Sequence, residues 1–255
     1  MQREYAIVVP SSRRPENMKK ILGLFPSAFI AINKSEREDY EGVVPQSQLL
    51  VHPDMMLIET RNWIFDNVQT ECVIQMNDDV CKLLALGLHS RTYRDPKVIR
   101  GVIENTLQCS KDLDIGVFCW SLTSNAGLLH PEVRPFRAAA PCSAHAFGIC
   151  GKARDRRLST VFRGCGDFDF TLETLRHDRL LLCDVRWHFD CGGMSRGKGG
   201  QSGSVKPADL KAAQEALRKK WGQYVGESAA QKISGHNTYR SFSVNVQRTS
   251  PLGVS

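Results

Sequence analysis

The chain has 255 residues, 42% hydrophobic and 24% charged, enough apolar mass for one large folded domain. That composition excludes a disordered or collagen-like chain, and no apolar run approaches the roughly 18 residues of a spanning helix. The net charge of +7 lies wholly in the stretch from Arg176 to the end, where 13 Lys and Arg face 6 Asp and Glu, while the first 175 residues are neutral.

Tyr5 to Pro10 reads as a buried strand, followed by a helix from Asn17 to Phe25. Ala28 to Asn33 and Gln48 to Val51 read as the second and third strands. A helix from Leu57 to Val68 leads to a strand at Cys72 to Met76. Val98, Ile99, Val102, Ile103 and Leu107 recur at helical spacing, and Ile115 to Trp120 is strand-like again. Strands alternating with helices predict βαβ units and a mainly parallel sheet, with ligands beyond the strands' carboxyl ends. Farther on, Ala144 to Ile149 and Leu180 to Val185 read as strands, with a helix near Phe170 to Arg176 between them. Residues 192–203 hold six glycines together with Arg196 and Lys198, the composition of a flexible loop. Pro207 opens a helix with Leu210, Ala213, Leu217 and Trp221 on one face. The tail, residues 226–255, is polar.

The nine cysteines are odd in number, and no two form Cys-x-x-Cys. Reduced, mostly buried thiols are the expectation, and neither cysteines nor histidines fall at zinc-ligand spacing. Glu4 stands where a secretion signal would begin its apolar region, so the protein is expected to stay in the cytoplasm.

Three stretches can carry chemistry. The first is Met76-Asn77-Asp78-Asp79-Val80, directly after a strand. Adjacent carboxylates repel and lose hydration there unless a cation compensates, and Mg²⁺ or Mn²⁺ suits oxygen ligands shared with a substrate's phosphates. The second is Gly164-Cys165-Gly166-Asp167-Phe168-Asp169. Asp167 or Asp169, presented at a helix start, can take a proton from an acceptor hydroxyl, and Asp169 is also placed to cap a helix beginning at Phe170. The third is Arg186-Trp187-His188-Phe189-Asp190, which leads into the glycine-rich loop. Arg196 and Lys198 there can neutralise a leaving diphosphate.

In this order the stretches resemble GT-A fold glycosyltransferases. Ser11-Ser12-Arg13-Arg14-Pro15 after the first strand resembles their nucleobase-binding loop. Glu59-Thr60-Arg61-Asn62-Trp63-Ile64 through Asp79 is similar to their Ala-Arg-Asn and Asp-x-Asp stretch, and Gly166 to Leu172 to their Glu-Asp-x-Asp motif. The resemblance implies an α/β, Rossmann-like fold with a mixed, mainly parallel central sheet flanked by helices. It spans a domain of residues 1–225, with a nucleotide-binding half to about 110 and an acceptor half beyond.

The implied roles follow residue by residue. Pro10, Ser11, Arg13, Arg61, Asp78, Arg196 and Lys198 would bind the nucleotide-sugar, a UDP-sugar by preference. Asp79 and His188 would hold a divalent metal, Mn²⁺ or Mg²⁺. Asp167 or Asp169 would be the catalytic base. Asn77 and Gly166 depart from the family pattern, each standing where an acid is usual.

Within the superfamily the chain looks most like bacteriophage glycosyltransferases associated with base-oxidising dioxygenases. These are thought to add sugars to hydroxymethylated pyrimidines in DNA, inside an infected host cell. The basic excess, including Arg218, Lys219 and Lys220, then becomes the expected DNA-binding surface. The alternative keeps the fold with a glycan, lipid or protein acceptor, a basic helix at 207–224 suiting a membrane-linked one. A sugar-1-phosphate nucleotidyltransferase would want a glycine-rich first loop, which Ser11 to Pro15 lacks. A non-enzymatic nucleic-acid-binding module would leave the acidic pairs without purpose.

Overall fold

Along the first strand, β1 (Tyr5–Pro10), Ile7 and Val9 face one apolar layer while Ala6 and Val8 face another. Burial on both faces is what a central strand of a helix-covered sheet requires. The computed structural model describes residues 4–87, 90–125, 131–132, 134–142, 145–162, 164–191, 207–227 and 242–244.

After β1 come α1 (Met18–Leu24), β2 (Phe29–Asn33), α2 (Arg37–Glu41), β3 (Leu49–His52) and α3 (Leu57–Asn67). Next follow β4 (Cys72–Met76), β5 (Lys82–Ala85), β6 (Arg91–Tyr93), α4 (Pro96–Asp112), β7 (Val117–Trp120) and β8 (Phe136–Arg137). The chain continues through β9 (Ala146–Cys150), α5 (Gly166–Asp178), β10 (Leu182–Asp184) and β11 (Trp187–Asp190). Then come α6 (Pro207–Trp221), β12 (Val225–Glu227) and β13 (Phe242–Val244).

Eight strands form the central sheet in the order β3-β2-β1-β4-β9-β7-β10-β8. Strands β3, β2, β1 and β4 run parallel, as do β7 and β10, while β9 lies antiparallel between β4 and β7. The sheet is therefore mixed and mainly parallel, as the sequence predicts. Ile21 and Leu24 of α1 and Ile99, Ile103 and Leu107 of α4 cover one face. Ile64 and Phe65 of α3 and Phe170 and Leu175 of α5 cover the other. Gly148 in β9 has no room for a Cβ, because the Phe118 ring of β7 lies over it.

Helix α6 packs Ala213 and Leu217 on Phe162, Cys165 and Leu172, outside α5. A small antiparallel sheet, β11-β5-β6, closes one end, and its strands are absent from the sequence reading. Among the described residues no helix is long and apolar enough to cross a membrane.

Two expectations are corrected. Cys72 and Cys150 are joined in a disulfide, because the antiparallel β4–β9 register sets them opposite each other with Cα atoms 4.2 Å apart. The other seven cysteines form no disulfide. Helix α5 begins at Gly166 and not at Phe170, with Cys165 at its N-cap, so Asp169 is no cap but a buried residue of the first turn.

Candidate active site

Strands β1 and β4 are neighbours, yet the chain leaves β1 toward β2 and returns to β4 on the opposite side. That reversal opens a crevice beyond their carboxyl ends, where open α/β sheets bind ligands. Ser11 to Arg14 and Asn77 to Asp79 line it from those two strands.

The loop after β1 is rigidly held. Ser12 Oγ and the Arg13 backbone N–H donate to Glu36, at 2.8 and 2.7 Å. Arg13 takes a left-handed conformation, φ 55°, which turns its side chain outward and the next one inward. Arg14, not Arg13, therefore enters the site. Its Nη1 lies 2.9 Å from Asp78 Oδ1 and 3.6 Å from Asp79 Oδ2. Ser11 Oγ donates to Asp78 Oδ2 at 2.9 Å, so the Tyr40 hydroxyl, 2.9 Å away, must donate to Ser11. The Arg14 backbone N–H in turn donates to the Tyr40 oxygen at 3.1 Å. Burial pushes Asp78 above the usual carboxylate range, and Arg14 and Ser11 pull it back.

Asp79 is different. Its Oδ1 is buried and no well-formed hydrogen bond reaches it among the described residues, while the Cys191 thiol is a weak donor to the carboxylate. An open carboxylate oxygen beside a charged partner fits a hard divalent cation completed by a substrate's phosphates. The described residues close no protein-only cage of three His, Cys, Asp or Glu ligands. His188 on β11 is buried, and its Nδ1 bonds the Ser121 carbonyl at 2.7 Å. A carbonyl only accepts, so Nδ1 carries a proton, and in the neutral ring the lone pair is on Nε2. His145 stands beside it, with ring centroids 6.1 Å apart. Burial, then the neighbouring His188, lowers the pKa of His145, while Asp79 raises it.

Arg61 links this crevice to the second acidic stretch. Its Nη2 donates to Asn77 Oδ1 at 2.8 Å, its guanidinium lies 5.4 Å from the Phe147 ring centre, and burial lowers its pKa to about 10. It remains charged at neutral pH. Leu57, Ile58, Cys142, Phe147, Leu158 and Phe170 wall a pocket of about 120 Å³, to which Arg61 and Asp167 supply the charged groups. Burial pushes Asp167 up to about 6, against the backbone N–H groups of Phe168 and Asp167 and the Arg61 charge. A carboxyl titrating there can act as a base at neutral pH.

Asp169 faces the other way. It accepts from Lys220 Nζ and Trp221 Nε1, both at 2.7 Å, and Lys220 also pairs with Glu173 at 2.8 Å. The acidic pair thus splits, Asp167 to the pocket and Asp169 to the anchorage of α6. Lys219 is exposed, and Arg218 is partly so. Pro10 ends β1 and is buried. Arg196 and Lys198 lie outside the described residues.

The sequence reading misses Arg14, Tyr40 and His145. An arginine beside a turn carries no label of which way it faces. His145 matters through β4–β9 pairing, where its carbonyl accepts from the Asn77 N–H at 2.9 Å.

No protein-family model and no curated protein matches the chain. Among solved structures, S. aureus TarS 1–349 in complex with UDP-GlcNAc superposes with a TM-score of 0.51 and 9% identity, over 86% of this chain and 66% of that one. The same TarS fragment in a second crystal structure gives 0.44 and 10%, over 72% and 60%. Glucosyl-3-phosphoglycerate synthase from Mycobacterium tuberculosis, solved with Mn²⁺, UDP and glucosyl-3-phosphoglycerate, gives 0.43 and 10%, over 93% and 88%. The chain thus spans about two thirds or less of the TarS fragment. At these identities the likeness is one of fold, and the fold is GT-A-like.

Proposed function

We propose that the chain is a nucleotide-sugar-dependent glycosyltransferase that uses a UDP-sugar and glycosylates a hydroxymethylated pyrimidine in DNA. The observation that carries the transferase reading is that Arg61 bonds Asn77, next to the acid pair at the end of β4, and also lines the pocket that holds Asp167. The acid pair offers an open carboxylate oxygen, the pocket a base that titrates near neutrality. TarS, alike in fold, is seen with UDP-GlcNAc, which favours a UDP-sugar donor.

In this reading Ser11 and Asp78 orient the nucleoside end of the donor, with Pro10 and Arg13 bordering it. Asp79 would hold Mg²⁺ or Mn²⁺ through Oδ1, with His188 as a further candidate ligand. Such an ion offsets charge on the departing diphosphate. Arg196 and Lys198 would help to neutralise the leaving diphosphate. Asp167 accepts the proton that the acceptor hydroxyl loses as its oxygen bonds the anomeric carbon and the nucleoside diphosphate leaves. Arg61, charged and buried between Asn77 and Phe147, keeps Asp167 ionisable at neutral pH.

The basic excess from Arg176 on supports DNA as the acceptor, with Arg218 and Lys219 as candidate phosphate contacts. Lys220 is already committed to Asp169 and Glu173. Unmodified cytosine and thymine offer no nucleophilic hydroxyl, whereas a hydroxymethyl base does. The test is UDP release from a panel of UDP-sugars with hydroxymethylated DNA, unmodified DNA, glycans and lipids. Release only with a glycan or lipid would retain the transferase and discard the DNA acceptor.

A further inference from the structure

Two adjacent carboxylates at a strand end call for a positive charge, and the chain supplies one itself. Arg14 Nη1 sits 2.9 Å from Asp78 and 3.6 Å from Asp79, with only 8% of its side chain exposed. The two acids are not equal partners. Asp78 uses both oxygens, one on Arg14 and one on Ser11. Asp79 shares the guanidinium at the longer distance, and apart from the weak Cys191 thiol donor to its carboxylate its Oδ1 is left open. We propose that Arg14 is the resident counter-cation of this acid pair and competes with a divalent cation for Asp79.

The physics follows from charge and distance. A dication at Asp79 comes within a few ångströms of the guanidinium, in a shielded place where like charges repel strongly even at an effective dielectric of about 20. Arg14 cannot give up its proton to relieve this. Its bond to Asp78, the shorter one, holds it in place through the Tyr40–Ser11 chain. The cation therefore binds weakly to the free protein. A diphosphate brings negative charge and removes the penalty, so cation and nucleotide each tighten the other by the same factor. This last consequence rests on the nucleotide-sugar reading of the site, while the competition itself does not.

The experiment measures Mn²⁺ binding to the full chain without nucleotide, by the free-Mn²⁺ electron paramagnetic resonance signal. Arg14→Met should bind Mn²⁺ at least tenfold more tightly than the parent. Equal, weaker or undetectable binding in a folded Arg14→Met protein overturns the proposal. Because that change strands Asp78 in a buried place, a second comparison removes both charges together. Asp78→Asn alone leaves Asp79 as the charged acid of the pair beside the guanidinium, so it should bind Mn²⁺ at least tenfold less tightly than Asp78→Asn/Arg14→Met. Equal affinities of that pair overturn the proposal too. No sugar transfer enters either readout, so failure of the glycosyltransferase reading would leave these differences standing, and the reverse.

Discussion

Lys220 donates to Asp169 at 2.7 Å and so ties the acidic stretch at the start of α5 to the basic end of α6. Asp169 has 4% of its side chain exposed, and Trp221 Nε1 bonds the same oxygen. Hydrogen bonds to a charged group contribute about 1.5–3 kcal/mol each and do not simply add. Asp169→Ala should therefore lose about 2–4 kcal/mol in urea unfolding, while the folded fraction keeps its turnover. Unchanged stability with lost turnover would assign Asp169 to the chemistry instead.

The same pairing bears on DNA binding. Lys220→Ala would strand a buried carboxylate, so its phenotype would mix folding with affinity. Lys219→Ala, at an exposed residue, is the cleaner change, and Arg218→Ala tests the neighbouring cation. Each cation removed from a phosphate should flatten the log–log salt dependence of duplex binding by about 0.9. A salt slope that does not change in the double variant would remove α6 from the DNA surface.

Asp167 carries the proton transfer in this account. Asp167→Asn should reduce turnover by about 10²–10⁴-fold with donor affinity retained. In the parent protein the rate should climb as pH rises through about 6, where the base form appears. The folded-state pKa is raised above the unfolded value, so the folded state binds the proton more tightly. Holding the ionised form consequently costs stability above pH 6, by up to about 3 kcal/mol. Asp167→Asn should then raise the melting temperature at pH 8 and leave it nearly unchanged at pH 4. A rate indifferent to pH between 5 and 7.5 would contradict the assignment.

Asn77 stands where the resembled motif has an acid, and it leaves Arg61 with an uncharged partner at 2.8 Å. Asn77→Asp would neutralise Arg61 and bring a second negative charge toward Asp167. Both effects raise the pKa of Asp167. The acid limb of the rate profile should therefore move upward by about half a unit or more. A limb that stays still, or moves down, would mean that Arg61 does not act on the base.

Much of this site can be read in the sequence, and the reasons for the rest are specific. Buried strands such as β1 and β4 are almost wholly apolar runs, broken in β4 only by Gln75, so their ends are legible, and with them the positions of Ser11 and Asp79. Strands β5, β6 and β11 are short and partly exposed, and β5 meets β11 only across a long intervening stretch of chain, so no local pattern marks them. Arg13 and Arg14 are adjacent and chemically identical, and only the positive φ of Arg13 decides which one meets the acids. Asp167 and Asp169 separate only because the helix starts at Gly166, which sends them to opposite sides. The Cys72–Cys150 pairing depends on a strand register between residues 78 apart, which parity and spacing do not encode.

The most direct measurement is nucleoside mass spectrometry after incubating the protein and a UDP-sugar panel with hydroxymethylcytosine, hydroxymethyluracil and unmodified DNA. The account predicts a hydroxymethyl nucleoside heavier by one glycosyl group, no product on unmodified DNA, and loss of the product in Asp167→Asn. No glycosylated nucleoside from any donor, or an equal yield from Asp167→Asn, would contradict it.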